Sequence, residues 1–134
     1  MKYYSTNHTA PLASLREAVE QGLAPDRGLY MPQQLNSLPT SFFEQIDDMS
    51  FQELSFEVAH ALFGEDVDET DLRHIVYDTL SFETPVVKVK DNIHALELFH
   101  GPTLAFKDVG ARFMARLLQY FIQKNNTTAS SATS

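Results

Sequence analysis

A single helix signal near the end of the chain constrains the fold more than any other feature. Val109, Phe113, Met114, Leu117, Leu118, Phe121 and Ile122 recur at helical spacing and cover a wide apolar face. A face that broad needs a sheet to cover it. One pair of strands precedes it: Val86, Val87 and Val89 read as a strand, Lys90-Asp91-Asn92 as a tight turn, and Ile93 to Phe99 as a second strand. The strand, the loop HGPTLAFKD (His100 to Asp108) and the helix make the first half of a βαβ unit. Beyond the helix comes only a polar string, KNNTTASSATS, with no strand to complete the unit. Two short strands cannot cover the apolar face. The pattern predicts an α/β chain cut in mid-fold, in preference to a complete small α+β domain with a frayed tail.

The part before Pro85 reads as helices separated by turns. Ser14 with Glu17 makes a capping box ahead of Leu15, Ala18 and Val19, and Gly22 is placed to end that helix. GLAPDRGLYMP (Gly22 to Pro32) is turn chemistry around Asp26. Ser41 with Glu44 is a second box. Ser50 with Glu53 is a third, and it opens a helix with Phe51, Leu54, Val58, Ala59 and Leu62 on one face, stopped by Gly64. The acidic turn EDVDETD leads to another helix, with Leu72, Ile75, Val76 and Leu80 along one stripe.

Composition narrows the function classes. Ten basic against eighteen acidic side chains give a net charge of −8 and a pI near 4.9. That balance repels phosphodiester backbones and anionic lipid, and the cations are scattered singly, so neither nucleic acid nor a membrane surface is an expected partner. The absence of cysteine excludes disulfides, thiol nucleophiles and cysteine-ligated metals. The start, MKYYSTNHTA, carries no apolar signal region, and no apolar run is long enough for a membrane span, so a cytoplasmic protein is expected.

Lys107 is the candidate for chemistry. Most lysines are solvated surface charges. This one stands at the mouth of the long helix, after a stretch from Phe99 to Phe106 with no formal charge. The positive end of a helix disfavours a neighbouring ammonium, and a lysine that condenses with an aldehyde needs its amine unprotonated. Asp108 acts oppositely and is expected to be an ordinary acid of the first helical turn. His100-Gly101-Pro102-Thr103 are expected to shape the loop, with His100 bonded to backbone. His8, His60, His74 and His94 lack metal-ligand spacing, and Glu65 to Asp71 lacks the glycine and terminal glutamate of a calcium loop, so no metal site is expected. The five glycines show no phosphate-loop spacing, and no serine elbow occurs.

ELFHGPTLAFKDVGARFMARLL (Glu97 to Leu118) resembles the pyridoxal-phosphate lysine segment of the threonine synthase family. YYSTN (Tyr3 to Asn7), LREAVEQGLAPDRGLYMP (Leu15 to Pro32) and SFQELSFEVAHALF (Ser50 to Phe63) resemble that family's amino-terminal domain. The resemblance implies a fold type II, tryptophan-synthase-β-like α/β architecture with the cofactor between two lobes. The implied division is a helical amino-terminal domain over residues 1–82, the start of a cofactor domain over 83–124, and a polar tail over 125–134. It also implies that Lys107 carries pyridoxal 5'-phosphate covalently and moves the proton at the substrate Cα, with Leu104 and Phe106 packed around it. The implied reaction is a lyase conversion of O-phospho-L-homoserine and water to L-threonine and phosphate. Family members are several times longer, and the loop holding the cofactor phosphate follows this segment, so the chain alone is expected to be inactive. The alternatives are a threonine-synthase-like phospho-lyase and a non-catalytic module self-associating through the uncovered helix face.

Overall fold

The computed structural model describes residues 1–131. The chain begins with β1 (Lys2–Ser5), β2 (Ala13–Ser14), α1 (Leu15–Gln21) and β3 (Tyr30–Pro32). The three strands form one antiparallel sheet in the order β2-β1-β3, with Tyr3 opposite both Ala13 and Pro32. This sheet corrects the expectation of helices and turns alone. Then come α2 (Thr40–Gln45), a 3-10 turn, α3 (Phe51–Phe63), α4 (Glu69–Thr79), the hairpin β4 (Val86–Lys90) and β5 (Ile93–Leu96), and α5 (Lys107–Ser131).

Local chemistry explains most of these boundaries. Both expected capping boxes at Ser14 and Ser50 form: the Glu17 and Glu53 amides donate to the serine hydroxyls, and the glutamate carboxylates accept from the serine amides. The box expected at Ser41 does not, because α2 starts two residues earlier with Pro39 at its cap and no side-chain cap bond. Gly22 ends α1 at φ 75°, where a β-carbon would be strained. Asp68 caps α4 by accepting from the amides of Thr70 and Asp71. The acids just before it, Glu65 and Asp66, both bind the Met1 ammonium at 3.0 Å.

The core lies between α1, α3, α4 and α5. Its members include Tyr3, Leu15, Phe56, Leu72, Ile75, Val76, Leu117, Tyr120 and Phe121. The stripe expected on α4 is the centre of it, and Leu72 is wholly buried. Helix α5 lies antiparallel to α4 and is pinned at both ends of it. The Arg112 guanidinium donates to the carbonyls of Asp78 and Thr79 and to Ser81 Oγ, while the Asp68 amide donates to Tyr120 Oη. Arg116 adds an ion pair to Asp78. These bonds satisfy carbonyls that a helix end leaves without partners. Helix α5 continues through Asn125–Ser131, where the polar composition predicted a tail. Asn125 reaches back to Glu20 on α1 at 3.2 Å. Residues 132–134 of that expected tail lie outside the described residues.

Asp26 organises the amino-terminal loop. Its carboxylate accepts from Ser5 Oγ at 2.5 Å, the Thr9 amide and hydroxyl, the Ala10 amide and the Gly28 amide. Above all the Ser5 hydroxyl, and then the Gly28 and Thr9 donors, hold this carboxyl far below the usual aspartate range. Gly28 must be glycine for space: a β-carbon there would collide with Ser5 Oγ and sit 2.9 Å from the Asn7 nitrogen. A carboxyl depressed in the folded state contributes stability that is present above its unfolded pKa and lost as pH falls towards its folded one. The same direction holds for Glu17, Glu53, Glu65, Asp78 and Asp108. The melting temperature should therefore fall steadily as pH drops below about 4, the unfolded carboxylate range. Asp26→Asn should melt lower at neutral pH and show a shallower acid slope, read by circular dichroism across a pH series. An unchanged slope would remove Asp26 from this role.

Candidate functional site

The segment from Glu97 to Asp108 joins the hairpin to α5 and holds the residues singled out by sequence. β5 ends at Leu96, earlier than the expected Phe99, and the Glu97 amide donates to the Pro85 carbonyl at 2.9 Å. The loop then closes on Asp108. That carboxylate accepts from the Thr103 amide at 2.9 Å and the Thr103 hydroxyl at 2.7 Å. Asp108 is an acid of the first helical turn, as expected, and it is buried at 5% exposure. Chiefly the Thr103 hydroxyl, then the Thr103 amide, hold its carboxyl below the usual range. Gly101 is buried against it, and a β-carbon on Gly101 would lie 2.5 Å from an Asp108 carboxylate oxygen. Thr103 is thus a loop-shaping hydroxyl, and its partner is the acid next to Lys107. Leu104 takes a left-handed conformation, φ 56°, to complete the turn.

Lys107 is the first residue of α5 and is exposed. Its helix direction is set by the Arg112 clamp on α4 and its loop by Asp108. The structure therefore presents one amine at a helix mouth, on a frame fixed from both sides. A solvent-facing amine on a fixed backbone can condense with an aldehyde, so the donor chemistry fits a pyridoxal cofactor. Leu104 and Phe106 do not pack around it. They are 76% and 66% exposed, with their side chains turned to solvent. His100 bonds not to backbone, as expected, but to the Glu97 carboxylate at 2.7 Å, with its ring against Phe99. Among the described residues, no group of three or more histidines and acids could hold a metal ion. No helix there is long and apolar enough to cross a membrane.

Sequence reasoning missed Asp108 and Asp26 as organisers. The signal was present in the spacing: an acid five residues after a threonine and just inside a helix, and an acid two residues before a glycine in a turn.

Comparison with known proteins follows the same lines. Residues 2–80 match the family described as "Threonine synthase N terminus". Threonine synthase of Serratia marcescens is 38% identical over 134 residues, covering all of this chain and 31% of the relative. A crystal structure of PLP-bound threonine synthase from Brucella melitensis superposes with a TM-score of 0.87 at 34% identity, over 94% of this chain and 28% of that one. Threonine synthase from Escherichia coli superposes at 0.84, also at 34% identity, over 91% and 28%. The chain thus spans just under a third of the Serratia relative's length. Its fold is the amino-terminal part of the fold seen in those enzymes. Sequence blocks, fold and the family match agree: this chain belongs to the threonine synthase family.

Proposed function

We propose that this chain supplies the cofactor-binding lysine of a threonine synthase, which converts O-phospho-L-homoserine and water to L-threonine and phosphate. The placement of Lys107 carries the reading. It opens α5 directly after the loop closed by Asp108, in a chain whose fold matches that of a PLP-bound relative. When bound, pyridoxal 5'-phosphate supplies an electron sink for charge developing on substrate carbon. Lys107 would hold the cofactor and then carry the proton at the substrate Cα, a task for an amine that cycles between protonated and free forms. Asp108 and Thr103 would keep the Lys107 backbone in place, and Gly101 would let the loop lie close enough for that contact. The division of function falls near residue 82, between the helical amino-terminal part and the start of the cofactor domain.

The experiment is a joined protein in which this chain replaces the matched 31% of the Serratia enzyme. It should release phosphate from O-phospho-L-homoserine, whereas the 134-residue chain alone should not. A soluble, cofactor-loaded joined protein that releases no phosphate above the blank would count against the proposal.

A further inference from the structure

The acid beside Lys107 is bound away from it. Both Asp108 carboxylate oxygens accept from Thr103, Oδ2 from the amide and Oδ1 from the hydroxyl. Asp108 is buried under the loop, whereas Lys107, its neighbour in the chain, is exposed. The difference matters to the chemistry. A carboxylate within reach of an amine favours the ammonium form, and an ammonium cannot attack an aldehyde. An acid released from Thr103 would be free to hold the Lys107 amine as a cation.

The group that keeps the acid in place lies four residues further along α5. Residues at that spacing share one face of a helix, so Arg112 stands one turn beyond Asp108. After the Thr103 hydroxyl and amide, the Arg112 charge helps to hold the Asp108 carboxyl below its usual range. The same guanidinium is gripped from its other side. It donates to the Asp78 carbonyl at 2.7 Å, the Thr79 carbonyl at 3.1 Å and Ser81 Oγ at 3.0 Å, and it lies 5.9 Å from the centre of the Phe82 ring. Asp78 and Thr79 form the end of α4, whose last carbonyls lack helical partners and carry the negative end of the helix dipole. Residues 78–82 also straddle the end of the stretch matched to the family's amino-terminal domain, residue 80. A planar fork of donors fixes direction as well as charge, so α4 sets the face of α5 that carries Asp108. Lys107, one residue earlier, is turned about 100° from that face.

We propose that Arg112 is a positioning residue for Lys107. By gripping the end of α4 it fixes the face of α5 on which Asp108 meets Thr103, and so keeps that carboxylate off the amine. The amino-terminal domain thereby acts on the reactivity of the lysine as well as on the stability of the fold. The proposal rests on the reading of Lys107 as the cofactor lysine.

The test measures how fast Lys107 takes the cofactor, apart from turnover. The joined protein described above is mixed with pyridoxal 5'-phosphate, quenched with borohydride at timed intervals, and mapped by mass. Condensation joins the lysine nitrogen to the aldehyde carbon with loss of one water, and borohydride reduces the carbon–nitrogen bond. Absence of label on Lys107 in the parent defeats the reading, and this inference with it. With the parent labelled there, the variants decide the inference alone. Arg112→Met should slow labelling of Lys107 about tenfold, measured against the exposed Lys88 and Lys90 in the same sample. In an Asp108→Asn background the same change should slow it by no more than about twofold, because no carboxylate remains to be released. The same loss in both backgrounds, or no loss in either, makes Arg112 merely structural and overturns the proposal. Should Arg112→Met not fold, as read by circular dichroism, Arg112→Lys enters the same cycle, since lysine keeps a donor for the α4 carbonyls but not the fork. A loss of about threefold that vanishes with Asp108→Asn supports the proposal, and equal effects in both backgrounds overturn it. Should the joined protein be insoluble, the full 134-residue chain is labelled instead, because it contains Thr103, Asp108 and Arg112. There solvent screening lowers the expected loss for Arg112→Met to about threefold, and the same comparison of backgrounds decides.

Discussion

Lys107→Ala should lower phosphate release by the joined protein by about a thousandfold or more, with the fold unchanged. Alanine removes the amine that holds the cofactor and moves the proton. Lys107→Arg should fail almost as completely. Arginine keeps the positive charge and the length, but its guanidinium does not lose a proton in proteins and cannot condense with an aldehyde. The arginine variant therefore separates a requirement for charge from a requirement for a free amine. Circular dichroism of both variants should match the parent, since Lys107 is exposed and takes no part in the core. Retention of a tenth of parental kcat/KM by Lys107→Arg would mean that the residue acts as a charge, and the assignment would fall.

Leu72→Ala should cost about 2–5 kcal/mol, a large part of the stability of a domain this size. Leu72 is 0% exposed, on the face of α4 that meets the core, within a cluster including Phe56, Ile75, Val76, Leu117 and Phe121. Truncation loses the transfer energy of the removed carbons and leaves a cavity that the pinned α4–α5 pair cannot close. Urea midpoints measure the loss. Leu104→Ala is the control: at 76% exposure it should shift stability by no more than about 0.5 kcal/mol. If both leucines cost the same in the lone chain, the core has been misplaced.

Legibility in the sequence followed locality. The boxes at Ser14 and Ser50, the stop at Gly22, the stripe on α4 and the hairpin turn at Asp91-Asn92 are set by neighbours within one helical turn or a two-residue loop, and each reads directly. The sheet β2-β1-β3 was not legible. Its strands are two to four residues long, and β1 pairs with β3 across more than twenty residues of intervening chain. The length of α5 was misread because Asn and Thr favour caps and turns, whereas Asn125 is tied to Glu20 by tertiary structure. At the site, Lys107 was visible from its place before an amphipathic helix. The role of Asp108 was not, because only the folded loop brings Thr103 and Gly101 onto its carboxylate.

The central claim is that one amine, at residue 107, takes the cofactor. Borohydride reduction of the cofactor-loaded joined protein, followed by proteolysis and mass mapping, tests it without depending on turnover. The pyridoxyl mass should sit on the peptide containing Lys107, and Lys2, Lys88, Lys90 and Lys124 should be unlabelled. A label on any of those four, or on a lysine from the Serratia portion, with none on Lys107, would contradict the account.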